Sequence, residues 1–215
     1  MSRGKAETST TLYGFLGLLA VRPMSTYELA KHFDRSLGRT WPRARSKLFE
    51  APKRLVESGF ARPSKGRTGL RPKTVYTITP KGRRALAAWL AEPGAGPELE
   101  FEQLVKLFLG EHGGTAAMVT NLEAARDWAR AQIDEHFEVG RAYLEGRGAF
   151  QERVAVNSIT GRFLAEFALT VERWATRSLS VVEQWPEDPR EATPDIRGLE
   201  QITRELEAAR AARDT

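Results

Sequence analysis

The chain has 215 residues, 41% hydrophobic and 28% charged, enough apolar side chain to bury a core and too much for intrinsic disorder. It contains no cysteine, which excludes disulfide frameworks, thiolate metal sites, iron–sulfur clusters and cysteine nucleophiles and points to a reducing compartment. The net charge of +5 hides an asymmetry: residues 1–92 carry 19 Lys/Arg against 6 Asp/Glu, a net +13, whereas residues 93–215 carry 14 against 22, a net −8.

The longest apolar run, Leu12 to Val21, is about half of what a bilayer-spanning helix requires, so no membrane span is expected. Glu7 ahead of it, Arg22-Pro23 behind it and the lack of a small-x-small cleavage pattern also argue against a signal peptide. Leu12, Phe15, Leu16, Leu19 and Ala20 recur at helical spacing, which predicts a buried first helix ended by Pro23. Ser25-Thr26-Tyr27-Glu28 has the form of a capping box and opens a second helix, to about Phe33, with Leu29, Ala30 and Phe33 on its core side. After a polar connection, Asp34 to Thr40, Trp41-Pro42 begins a third helix over about 42–58.

On that third helix Leu48, Pro52 and Leu55 share one face, and a turn of roughly 100° per residue puts Arg43, Ser46, Lys47, Glu50, Lys53 and Arg54 opposite. Arg45 falls nearer the buried edge. Pro52 removes an internal hydrogen bond and is expected to bend or locally break the helix, and Gly59 closes it. Two short β-like runs follow, Phe60 to Ser64 and Thr74 to Thr79, joined by a basic hairpin from Lys65 to Lys73. A fourth helix with Ala85, Leu86, Trp89 and Leu90 leads to Glu92-Pro93-Gly94-Ala95-Gly96-Pro97, which reads as a domain boundary.

The order helix, helix, helix, strand, strand, helix describes a winged helix-turn-helix. Such a unit inserts the N-terminal part of its second motif helix into the DNA major groove. Within 35–84 there are 15 basic residues and only two acidic ones, Glu50 and Glu57, all on or near that helix and hairpin. Arg43, Ser46 and Lys47 are the candidates for base edges and Lys53 and Arg54 for phosphate. Lys65, Arg67, Arg71 and Lys73 on the hairpin suit the backbone or the adjacent minor groove. Ser25 and Tyr27, at the start of the second helix, complete the candidate set. Glu50 is the one carboxylate on this face, suited to a cytosine amino group or to pairing with Arg54.

Several runs resemble PadR-like transcriptional regulators: Leu12-Tyr13-Gly14-Phe15-Leu16-Gly17-Leu18-Leu19, Met24-Ser25-Thr26-Tyr27-Glu28-Leu29 and Trp41-Pro42 through Lys47-Leu48-Phe49. Arg54 through Phe60 and Val75-Tyr76-Thr77-Ile78-Thr79-Pro80-Lys81-Gly82 extend the likeness, which covers about residues 11–92. The resemblance implies a cytoplasmic bacterial homodimer, often a repressor released by a small molecule. Two departures stand out: Phe49 where members often carry tyrosine, so a phosphate-bonding hydroxyl is missing, and Pro52 in a helix that is often continuous.

In the second half, Glu98 to Leu109 reads as a short amphipathic helix. Met118, Leu122, Ala125, Ala129, Ile133, Phe137 and Tyr143 mark a long helix from Thr115 to about Glu145. Val156, Phe163, Phe167, Val171, Trp174, Val181 and Trp185 mark a second, over about 152–185. An antiparallel pair has more apolar stripe than it can hide from itself, so a second copy of the chain is the expected cover, through Leu122, Ile133, Phe137, Phe163, Phe167, Val171 and Trp174. Pro186 to Pro194 reads as a linker, followed by a charged helix with Ile196, Leu199, Ile202 and Leu206. Trp128, Trp174 and Trp185 either line an effector pocket or simply pack.

The expected architecture is therefore mainly α: a winged helix-turn-helix domain with a two-stranded wing (1–92), a linker (93–97), a long-helix dimerisation domain (98–185), and a linker with a C-terminal helix (186–215). His32, His112 and His136 form no zinc pattern or catalytic triad, and no phosphate-binding glycine loop is present, so neither catalysis, a metal nor a cofactor is expected. The expected partners are double-stranded DNA with a near-palindromic operator, a second copy of the chain and a small-molecule effector, with no membrane. The competing reading is a winged-helix module that contacts protein or RNA and binds nucleic acid only nonspecifically.

Overall fold

A computed structural model describes residues 3–38, 40–42, 45–68 and 71–213, and the side chains of 10–38, 40–42, 47–67 and 72–213 among them. The chain divides into two compact units, Met1–Pro97 and Glu98–Thr215.

The first unit is built around helix α1 (Arg3–Val21), whose Phe15, Leu16 and Leu19 are fully buried. Pro23 keeps the chain from continuing as helix, and Met24–Ser25 instead forms a two-residue strand, β1. Ser25 then caps α2 (Thr26–Ser36), and both halves of the capping box are present. Helix α3 (Arg45–Glu57) lays Leu48, Ala51, Pro52 and Leu55 against the core. The helix is not broken at Pro52 but runs through it, and burial of the ring helps offset the lost hydrogen bond. Gly59, at φ 71°, ends the helix as expected.

Strands β2 (Ala61–Thr68) and β3 (Arg71–Ile78) pair antiparallel from Ala61 opposite Ile78 to Thr68 opposite Arg71. The stretch taken from sequence as a hairpin loop is thus largely ladder. The wing is two-stranded, but its sheet has a third member, because β1 pairs with β3 through Met24 opposite Tyr76 and Ser25 opposite Val75, in the order β1-β3-β2. Two residues are too few for an alternation to register in sequence. Helix α4 (Pro80–Ala91) is capped by Thr79 and returns to α1, where Trp89 stacks on Tyr13 at 4.9 Å.

The second unit opens with α5 (Glu102–Phe108) and is dominated by α6 (Thr115–Leu144) and α7 (Val154–Val182), packed along one another. Ala125, Ala129, Ala168 and Ala175 are essentially buried along the seam, where small side chains let the helix backbones approach. At one end the Thr115 hydroxyl donates to the Pro186 carbonyl, and its amide donates to Glu187 at 3.1 Å. Leu122, Leu179 and Val182 form the local core, with Trp174 and Trp185 packed against it. Helix α8 (Ile196–Ala211) leaves Ile196, Leu199, Ile202 and Leu206 exposed.

The segment Gln151–Val182 is, among the described residues, long and apolar enough to cross a membrane by length and composition, with a mean hydropathy of 1.2 in its best window. A search for an unbroken apolar run misses it because Arg162, Glu166, Glu172 and Arg173 punctuate it. In the fold its apolarity serves two sides: Ala168, Val171, Ala175 and Leu179 meet α6, while Val156, Ile159, Phe163 and Leu169 lie exposed.

Candidate nucleic-acid interface

The site begins at the junction of β1 and α2. Ser25 is only 7% exposed; its hydroxyl donates to Glu28 Oε2 at 2.6 Å and its amide to the same oxygen at 2.8 Å. The hydroxyl in turn accepts from the Glu28 amide at 3.4 Å. Ser25, expected as a DNA contact, is instead buried, with its hydroxyl and amide engaged in the cap. Tyr27, two residues on, is 68% exposed.

The entry to α3 is tied to α1, because Trp41 Nε1 donates to the buried Thr11 hydroxyl at 3.1 Å. This fixes where the third helix emerges from the core. Its buried face is the expected one, so Lys47, Glu50, Lys53 and Arg54 are all exposed. Arg43 lies outside the described residues, as do the side chains of Ser46 and Arg71. Sequence reasoning weighed Phe49 only for its missing hydroxyl; its ring is 45% exposed, an apolar surface on the same helix suited to a thymine methyl.

On the wing, Lys65 and Arg67 are exposed on β2, and so is Arg62, which sequence reasoning did not single out. Lys73 differs. The β1–β3 register sets Ser25 opposite Val75, and Glu28 sits one helical turn beyond Ser25, so the Lys73 ammonium lies 3.5 Å from Glu28 Oε2. Lys73 therefore enters the site already paired. The two hydrogen bonds from Ser25, with a smaller contribution from Lys73, hold the Glu28 carboxyl down to about 2. Partial burial, and then Arg22, push His32 below its ordinary value.

Lys47, Lys53, Arg54, Arg62, Lys65 and Arg67 have no ion-pair partner among the described residues, so α3 and the wing offer six uncompensated cations there, a combination suited to a polyanion. Among the described residues no cluster of His, Asp or Glu is placed to hold a metal ion.

The residues expected to pair protomers divide. Leu122 and Val171 are 1% and 5% exposed, buried between α6 and α7 of one chain, and are corrected to intrachain core. The seam chosen from spacing was partly the α6–α7 seam itself, which has the same period. Ile133, Phe167 and Trp174 are half-buried; Trp174 meets Phe101 edge-on at 5.9 Å, and Phe167 meets Trp128 at 6.2 Å. Phe137 and Phe163 are 60% and 57% exposed.

Residues 15–88 match the Transcriptional regulator PadR-like family. A probable transcriptional regulator of Mycobacterium tuberculosis is 32% identical over 125 residues, 53% of this chain and 66% of that protein. The negative transcriptional regulator PadR of Bacillus subtilis is 31% identical over 87 residues, 40% of this chain and 48% of that protein. The chain thus spans just under two thirds of the first relative and about half of the second. Crystal structures of Bacillus subtilis PadR with operator DNA and with p-coumaric acid superpose with TM-scores of 0.70 and 0.64 at 20% and 21% identity. Each likeness covers 80% of this chain and 98% of the other, and shows a shared fold of winged helix and long C-terminal helices. The family and the relatives are transcriptional regulators, not enzymes, in agreement with the lack of a catalytic constellation in the sequence. Residues 15–88 of the chain are thus similar to the PadR-like family of transcriptional regulators, over about the stretch where the sequence motifs resemble it.

Proposed function

We propose that this protein is a dimeric, sequence-specific DNA-binding repressor that acts in the bacterial cytoplasm. The observation that carries the reading is the exposure of Lys47, Lys53 and Arg54 on α3 together with Lys65 and Arg67 on the wing, none of them neutralised within the described chain. In this reading the N-terminal half of α3 enters the major groove, with Lys47 and, from sequence, Arg43 and Ser46 at base edges. Lys53, Arg54 and, on the wing, Lys65 and Arg67 hold phosphate, and Tyr27 reaches the backbone from the start of α2. Dimerisation is supported by the apolar side chains that α6 and α7 leave uncovered, Phe137, Ile159 and Phe163. Repression and release by a small molecule are carried over from the negative regulator PadR and its p-coumaric acid complex.

The test is a gel-shift titration of the purified protein against duplex DNA flanking its own gene, with random duplex and RNA as competitors. Retention of the flanking duplex against both competitors is the expected result. Equal competition by random duplex, or preference for RNA, refutes sequence-specific repression. Light scattering is expected to give a dimer, and a concentration-independent monomer refutes that part. Titration with phenolic acids is expected to release the DNA, and retention throughout the series refutes their role as effectors.

A further inference from the structure

We propose that Glu28 withdraws Lys73 from the phosphate-binding set of the wing and so restrains sequence-independent affinity for DNA. The inference rests on the DNA-binding reading above and refines it. By composition, Lys73 is one of four cations on the hairpin and indistinguishable from Lys65 and Arg67. The fold separates them: Lys65 and Arg67 are exposed and have no acidic partner among the described residues, while Lys73 lies 3.5 Å from a carboxylate on another element.

A surface ion pair formed by two free side chains is ordinarily too weak to compete with a phosphate. This one is prepared on the carboxylate side. Glu28 Oε2 is held at 2.6 Å by the Ser25 hydroxyl and at 2.8 Å by the Ser25 amide, so the carboxylate is already fixed and only the lysine stem is ordered on pairing. Lys73 sits opposite Gly66 on β2, with its Cγ 3.5 Å from where a Cβ on Gly66 would stand, in ordinary van der Waals contact. Both charged groups are about one third exposed, 30% for Lys73 and 34% for Glu28, and so are partly shielded from solvent. Sequence-independent binding competes with the operator throughout a genome, so fewer phosphate contacts favour discrimination.

The experiment measures binding to a random-sequence duplex across a salt series for the full-length wild type, Arg67→Ala, Lys73→Ala, Glu28→Gln and the double variant Glu28→Gln/Lys73→Ala. Glutamine also serves in a capping box, so the helix start is preserved, and thermal melts verify folding of each variant. Arg67→Ala is expected to flatten the log–log slope by about 0.9 per protomer, while Lys73→Ala leaves it unchanged. Glu28→Gln is expected to steepen the slope by about 0.9 per protomer, and adding Lys73→Ala to return it to the wild-type value. Flattening by Lys73→Ala equal to that by Arg67→Ala overturns the inference, as does a Glu28→Gln slope equal to wild type. A wild type that ignores duplex DNA overturns the DNA-binding reading and the inference together, and is recognised by a flat salt series for every variant.

Discussion

Gly82→Ala separates local helix preference from tertiary packing, because the two predict opposite signs. Gly82 lies in the first turn of α4 with no positive φ, so by propensity alone alanine would stabilise the helix by about 1 kcal/mol, partly by restricting the unfolded chain. The structure reverses this. A Cβ at Gly82 would sit 2.3 Å from the Phe60 carbonyl oxygen and 3.0 Å from Ile78 Cγ1, and the first of these is backbone that also accepts the Thr79 amide at 2.9 Å. Relief requires α4 to shift away from the β2–β3 sheet, an overpacking cost of about 3 kcal/mol, which leaves a net loss of about 2 kcal/mol. For a unit of this size that corresponds to a fall in melting temperature of about 8–16 °C. Gly140→Ala is the control: it lies inside α6 with nothing within 4 Å of its Cβ, and is expected to raise stability by about 1 kcal/mol. Thermal and urea denaturation of both variants by circular dichroism provides the measurement. If Gly82→Ala matches or exceeds the wild type, the close approach of α4 to the wing is wrong.

The Glu28 carboxyl, normally near 4.5 and here held down to about 2, contributes stability that is complete above the unfolded value and lost as pH falls through that window. The stability advantage of wild type over Glu28→Gln in urea is therefore expected to shrink from about pH 6 to about pH 3, and a difference constant across that range contradicts it. Phe163→Asp places a charge on a ring that is 57% exposed in one chain, so it is expected to halve the mass seen by light scattering while leaving the helical signal intact; an unchanged mass removes α7 from the interface. Lys47→Ala is expected to relax base preference at a cost of about 1–3 kcal/mol, whereas Arg67→Ala weakens binding to all duplexes alike. Equal losses on operator and random DNA for both variants refute the division between base and backbone contacts.

The buried face of α3 was legible because Leu48, Pro52 and Leu55 recur at helical period and leave the lysines opposite. The capping box was legible because Ser25 and Glu28 act through the backbone within one turn. Where the sequence misled, the missing information was a partner distant along the chain. Ser25 was taken as a contact because its burial depends on β3 lying beside it, fifty residues later in register with Val75. Leu122 and Val171 were placed at the dimer surface because an intrachain helix seam and an interchain one share the same spacing.

The sequence by itself determined which segments are helices, where the basic charge is concentrated and which family residues 15–88 resemble, since each of these depends on residues close together in the chain. Tertiary structure alone decided which cations remain free. Ionic pairing depends on distance in space, and it is the pairing of β1 with β3 that brings Glu28 to Lys73, while Lys65 and Arg67 stay uncompensated among the described residues.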